Sequence, residues 1–132
     1  MEHYSLTELS KALHSKKISS VELTQDFLQR VNKYGTVLNT FITICEDAAL
    51  EQAKRADNKI QNNQAGILTG IPIAHKDIFC TQNIKTSCGS KMLDNFIAPY
   101  NAHMIDQCNA ANMVMLGKTN MDEFAMGSAS DT

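Results

Sequence analysis

The feature that most constrains the fold of this chain is a change of hydrophobic period along it. Helical spacing dominates the first half, interrupted by a β-branched and aromatic stretch at residues 38–45. In the second half, short apolar runs at residues 71–74 and 114–116 flank a helical pattern at residues 104–111. Helices and strands that alternate in this way favour an α/β sheet with helices over its faces.

Two capping boxes mark the starts of the first two helices. Ser5 precedes Glu8 by three residues, and Ser19 precedes Glu22 by the same spacing. In each pair the two side chains can satisfy backbone N–H groups of the first helical turn. Gly35 is expected to end the second helix, because glycine readily adopts the left-handed conformation.

The remaining elements are predicted from apolar patterns. Residues 46–62 form a third helix, and its buried face consists of Ala49, Ala53, Ala56 and Ile60. A buried strand is predicted near residues 71–74, where Pro72 lacks an N–H and therefore belongs at the start of the strand or on an edge. Another short buried strand covers residues 114–116, with Gly117 at its end.

Composition and charge exclude several classes of protein. Apolar residues make up 43% and charged residues 20%, and 12 basic against 14 acidic side chains give a net charge of −2. Basic residues occur at most two in a row, which argues against nucleic-acid binding by this segment. Apolar runs stay well short of the roughly 18 residues of a membrane span, and the polar N-terminus carries no signal peptide. The expected compartment is the cytoplasm, with free thiols at the four cysteines.

The strongest local candidate for chemistry is Lys76. The apolar run at residues 71–74 leads directly into His75, Lys76 and Asp77, and open α/β sheets place their sites at strand ends. Burial would favour a neutral lysine amine, which can act as a general base. The alternative is a surface lysine paired with Asp77, and local sequence alone favours that alternative.

Three ordered motifs resemble the amidase-signature family. Residues 70–77 resemble its GxPxxxKD strand, residues 86–93 resemble the segment after that strand, and residues 117–128 resemble the stretch before its serine-rich signature. The sequence of residues 120–127 resembles that of the branch formed by the A subunits of glutamyl-tRNA(Gln) amidotransferases.

The resemblance implies an α/β amidase-signature fold, with a mixed sheet covered by helices. Residues 1–132 are expected to be its N-terminal part, with a helical start over about 1–65 and the first sheet and lysine region over about 66–132. The GGSSGGS signature does not occur in the sequence, and the loop-like stretch at residues 124–132 also indicates a truncated chain.

The family's mechanism implies a Ser-cisSer-Lys triad. A serine attacks the amide carbonyl, a second serine held by a cis peptide bond relays the proton, and a neutral lysine accepts it. Both serines belong to the missing signature, so only the lysine carries over, as Lys76. Met126, Gly127 and Ser128 resemble a family loop that lines the acyl pocket, so we predict that they bind substrate.

Other polar residues near Lys76 are assigned structural roles. Ser87 and Ser90 are expected to cap turns or lie in loops. Asp77 is expected to support the surroundings of the lysine or to cap a turn. Cys80 and Cys88 are expected to be partly buried free thiols, since no family pattern uses them as nucleophiles.

The family branch implies a function for the complete protein. It would hydrolyse glutamine and pass the ammonia to a B subunit, where Glu-tRNA(Gln) is activated with ATP and Mg²⁺ and converted to Gln-tRNA(Gln). A small C subunit would join A and B. No cofactor is expected in this chain, tRNA is reached through B, no membrane is involved, and the chain alone is expected to be inactive.

Three alternatives stay open at this stage. The protein could be a general amidase of the same family that acts on another small amide. It could be a non-catalytic module that reuses the front half of an amidase, or a shortened or disrupted gene product. The enzymatic interpretation requires the Lys76 side chain to be sheltered from water at the end of a strand.

Overall fold

The computed structural model describes residues 4–127. Its helices are α1 (Leu6–His14), α2 (Ser20–Leu38), α3 (Glu46–Gln61) and α4 (His103–Ala110). Its strands are β1 (Phe41–Ile44), β2 (Pro72–Lys76) and β3 (Val114–Thr119), with single 3-10 turns at Lys91–Leu93 and Glu123–Ala125. Within the described residues, no helix combines the length and the apolar character that crossing a membrane requires.

The three strands form a mixed sheet in the order β1-β3-β2. The central strand β3 pairs antiparallel with β1 and parallel with β2. Pro72 opens β2 and has Val114 as its partner in register. β2 is an edge strand in the described part of the chain, so the position of Pro72 is as predicted. The expected α/β architecture with a mixed sheet is confirmed.

The helices pack as their sequence patterns predict. Both capping boxes form, with Ser5 and Ser19 accepting from the N–H groups of Glu8 and Glu22. The predicted face of α3 is fully or almost fully buried. Part of that face lies in a core cluster that joins α2 and α3 to β3: Leu28, Ala49, Ala53, Val114 and Leu116. The small alanine side chains let α3 approach the sheet closely.

The predicted end of α2 is wrong. Gly35 lies inside the helix, which continues to Leu38. The left-handed residue is Asn39, with φ 50° and ψ 41°, and its N–H donates to the Gly35 carbonyl at 2.8 Å. Asparagine tolerates this conformation better than most residues, so the helix ends one turn later than glycine alone suggests.

The predicted end of β3 is also wrong, because the strand continues past Gly117 to Thr119. An added Cβ at Gly117 would lie 2.2 Å from the carbonyl oxygen of Thr43 in β1. Gly117 therefore allows the close approach of β1 to β3 and does not terminate the strand.

Replacement of Gly117 by alanine should destabilise the chain. The methyl group would force β1 away from β3, and overpacking of this kind costs about 1–3 kcal/mol of unfolding free energy. Urea denaturation of the 132-residue chain measures the effect. Gly35→Ala is the matched control, since nothing lies within 4 Å of its added Cβ, and alanine in a helix should stabilise by up to about 1 kcal/mol. Equal effects of the two substitutions would contradict this account of the sheet.

Candidate active site at the carboxyl edge of the sheet

Lys76 is the last residue of β2 and pairs in register with Thr119, the last residue of β3. Because the two strands are parallel, both end at the same edge of the sheet. The predicted position of Lys76 at a strand end is confirmed. We call this end of the two strands, with the loops that follow them, the carboxyl edge.

The predicted burial of Lys76 is wrong, because its side chain is exposed. Its neighbours are both buried, His75 with 2% exposure and Asp77 with none. Successive side chains of an extended strand point to opposite sides, so Lys76 must point away from the packed side. The catalytic role of Lys76 stays a prediction.

Asp77 directly follows β2, and its buried carboxylate holds the loop at residues 87–89. Its Oδ2 accepts hydrogen bonds from the Ser87 N–H at 2.9 Å, the Ser87 hydroxyl at 2.6 Å and the Gly89 N–H at 3.4 Å. The carbonyl oxygen of Asp77 accepts from the Cys88 N–H at 3.2 Å. The side chain and main chain of Asp77 thus bind the same loop, which agrees with a supporting role.

Lys118 lies in β3 and its side chain is completely buried. Its Nζ donates to the Phe79 carbonyl at 2.6 Å and to the Thr86 hydroxyl at 3.0 Å. It forms an ion pair with Asp77 Oδ1 at 3.6 Å, and that oxygen accepts no hydrogen bond within the described part of the chain. Burial lowers the pKa of the Lys118 amine, and the charge of Asp77 opposes that shift.

Sequence reasoning missed Lys118, although a signal for it was present. A lysine two residues after the apolar run at residues 114–116 rarely belongs to a buried strand unless a carboxylate compensates its charge. Asp77 lies three residues after the other predicted buried strand, at residues 71–74. If the two strands are parallel neighbours, these opposite charges meet at one edge of the sheet.

The predicted substrate-binding residues lie on the segment that follows β3. Met126 is 81% exposed and Gly127 is exposed, whereas Ser128 lies outside the described residues. The Phe124 N–H donates to the Cys88 carbonyl at 3.0 Å. This contact ties the segment to the loop that Asp77 holds, so Met126 and Gly127 belong to the carboxyl edge. Their role in substrate binding is untested.

The structure gives Ser87 and Ser90 structural contacts. The Ser90 hydroxyl accepts from the Met92 N–H at 3.3 Å at the start of a 3-10 turn, as the capping interpretation expects. It also donates to the Glu123 carboxylate, which connects the loop to the segment after β3. Ser87 binds Asp77 instead.

Other candidate features lie elsewhere. A groove of about 470 Å³ runs along α1 between Tyr4 and Ile18, and no predicted site residue lines it. Within residues 4–127, no group of three or more His, Cys, Asp or Glu side chains could hold a metal ion. The carboxyl edge is therefore the best candidate site.

His75 gives this region a pH-dependent stability. Burial, and then the positive charge of Lys118, lower the pKa of His75 below its ordinary value of 6.5. Below that pH the unfolded chain binds a proton that the folded chain excludes, so the free energy of unfolding should fall as the pH falls. The loss begins near pH 6.5 and stops increasing below the folded pKa.

The variant His75→Gln should remove this part of the acid destabilisation. Urea denaturation at about pH 7.5 and about pH 5.5, on either side of the ordinary histidine pKa, measures the difference for the parent chain and the variant. His103→Gln, which replaces an exposed histidine of α4, is the control. An undiminished loss of stability in His75→Gln would exclude His75 as its source.

Comparison with known proteins agrees with the motifs. Residues 22–132 match the family model described as Amidase. The chain is 57% identical over 132 residues to the A subunit of the glutamyl-tRNA(Gln) amidotransferase of Nitrosococcus oceani. It is 58% identical over 131 residues to the corresponding protein of Coxiella burnetii. All or almost all of this chain takes part, yet it spans only 27% of the length of either relative.

Solved structures show the same likeness. The native peptide amidase of Stenotrophomonas maltophilia matches with a TM-score of 0.87 and 30% identity, over 92% of this chain and 26% of that one. A vestigial protein complex that reveals the origins of an s-triazine catabolic enzyme matches with a TM-score of 0.89 and 26% identity, over 94% of this chain and 28% of that one. The family match over residues 22–132 shows that this chain belongs to the amidase family.

Proposed function

We propose that the protein carrying this chain is the glutamine-hydrolysing A subunit of a tRNA-dependent amidotransferase. The supporting observation is the 57% identity to such a protein over the whole chain. In this role the protein releases ammonia from glutamine in the cytoplasm and passes it to a B subunit. There, ATP and Mg²⁺ support the conversion of Glu-tRNA(Gln) to Gln-tRNA(Gln), and a C subunit joins A and B.

In the proposed reaction, Lys76 is the base of a Ser-cisSer-Lys triad. Its place at the end of a parallel strand supports this role, since open α/β sheets build their sites there. The amine must be neutral to accept a proton, and desolvation is the usual cause of a neutral lysine. Because Lys76 is exposed here, the cover must come from parts of the protein beyond residues 4–127.

The remaining groups of the proposed site lie partly outside this chain. Both triad serines belong to a GGSSGGS signature that this sequence does not contain. A base without its nucleophile has nothing to deprotonate, so the chain by itself is inactive in this proposal. Met126, Gly127 and Ser128 contribute to the acyl pocket, and the tie between Phe124 and Cys88 supports the place of this segment at the edge.

The variant Lys76→Ala in the complete gene product, purified with its B and C partners, tests the proposal. Loss of the base should lower kcat for ammonia release from glutamine by about 10²- to 10⁴-fold. Folding should be retained, because the side chain is exposed in this structure. Lys54→Ala, at an exposed lysine of α3, is the control and should keep full activity. Near-normal turnover in Lys76→Ala would remove Lys76 from the mechanism.

A second candidate is a general amidase that needs no partner subunit. The TM-score of 0.87 and 30% identity to a peptide amidase favour it. The two functions differ in substrate and in product fate. Hydrolysis of glutamine with amidation of Glu-tRNA(Gln), both dependent on B and C, supports the amidotransferase. Rapid hydrolysis of other amides by the purified protein alone supports the general amidase.

A further inference from the structure

We propose that Asp77, Ser87 and Lys118 are positioning residues that fix the direction in which Lys76 leaves the sheet. This inference rests on the proposed function, because it assigns a role in the reaction of Lys76. It assigns a role in that reaction to three residues of this chain that are not members of the triad.

The Asp77 side chain is held in place by its buried contacts. Its carboxylate has no exposed surface, so groups inside the protein must compensate its negative charge. Ser87 donates two hydrogen bonds to Oδ2, and the Lys118 ammonium faces Oδ1 at 3.6 Å. Removal of a buried charge from its partners is strongly unfavourable, so these contacts restrict the carboxylate to one place.

The main chain of Asp77, which follows Lys76, is also held on two sides. The Asp77 N–H donates to the Thr119 carbonyl at 3.2 Å, and the Asp77 carbonyl accepts from the Cys88 N–H at 3.2 Å. The main chain that follows Lys76 is therefore held on one side by β3 and on the other by the loop at residues 87–89. With Asp77 held inward, the Cα–Cβ bond of Lys76 points to the opposite side.

The two lysines at the carboxyl edge differ in their contacts and in their exposure. Lys118 uses its Nζ to bind the Phe79 carbonyl and the Thr86 hydroxyl, and it lies beside Asp77. It has no exposed surface through which a substrate could reach it. Lys76, which pairs with the residue after Lys118 in β3, is exposed. Lys118 therefore holds the edge, and Lys76 is the amine available for reaction.

The position of a base matters because proton transfer requires close approach. A displacement of about 1 Å at a reacting group can cost about 10²-fold in rate. A small change in how Asp77 is held should therefore lower kcat while leaving the affinity for glutamine almost unchanged. A purely structural role would lower stability without this selective effect on kcat.

The test compares Ser87→Ala with Ser10→Ala in the complete gene product. Both residues are buried, with 3% and 8% exposure, and each hydroxyl donates one hydrogen bond of 2.6 Å. The Ser87 bond goes to Asp77, and the Ser10 bond goes to the Ile67 carbonyl, which precedes β2. Each variant thus loses one buried hydroxyl bond, and only the Ser87 bond holds the residue that follows Lys76.

We expect both variants to lower the unfolding midpoint, Ser87→Ala at least as much as Ser10→Ala, because its lost bond goes to a carboxylate. Only Ser87→Ala should lower kcat for glutamine hydrolysis, by about tenfold or more, with KM unchanged. Equal kcat values for the two variants would overturn the positioning role. If Ser87→Ala does not fold, Thr86→Val, which removes an acceptor from Lys118, replaces it with the same expectations.

Lys76→Ala in the same assay separates this inference from the proposed function. Full turnover without the Lys76 amine overturns both, because no base then needs positioning. An inactive Lys76→Ala together with a fully active Ser87→Ala overturns the positioning role alone. An inactive Lys76→Ala together with a selective kcat loss in Ser87→Ala supports both.

Discussion

The carboxyl edge of the sheet depends on the buried ion pair between Asp77 and Lys118. Transfer of two charges out of water costs several kcal/mol per ion, and only close contacts with good hydrogen bonds offset that cost. Asp77 meets this condition through Ser87, and Lys118 meets it through Phe79 and Thr86. The loops after β2 and before α4 take their positions from these bonds, so the pair organises the segments that reach the edge.

The pair also explains why the two lysines of this edge differ. Lys118 is completely buried and its pKa is lowered by burial, whereas Lys76 is exposed. The buried lysine is committed to three neighbours, and one of them is the carboxylate next to Lys76. Lys118 therefore belongs to the structure of the edge, whereas the Lys76 side chain remains accessible from outside the described residues.

Patterns within about one turn of helix were predictable from the sequence, because the interacting residues lie close together in the chain. Ser19 and Glu22 cap α2 as predicted, and the alanine face of α3 is buried as predicted. A strand near residues 71–74 was also predictable from its apolar run, and the structure places it at Pro72–Lys76. The family followed from three motifs in order, and the match over residues 22–132 confirmed it.

The features that the sequence predicted wrongly or missed depended on long-range contacts or on competition between local signals. Gly35 and Asn39 both suit a helix end, and the helix ends at the later one, where Asn39 takes the left-handed conformation. At Gly117, β1 closely approaches β3. This contact cannot be inferred from the sequence until the pairing of the strands is known. The exposure of Lys76 follows from the inward position of its two neighbours, and the burial of Lys118 follows from the parallel pairing of β2 and β3.

A double-mutant cycle on Asp77 and Lys118 tests the central claim most directly. The variants Asp77→Asn, Lys118→Met and the double variant of the 132-residue chain are compared by urea denaturation. Each single variant leaves a buried polar group without its partner and should lose about 3–5 kcal/mol of unfolding free energy. The double variant should lose clearly less than the sum, with a coupling of at least about 1 kcal/mol. Strictly additive losses would show that the two charges do not hold each other, and would contradict the account of the edge.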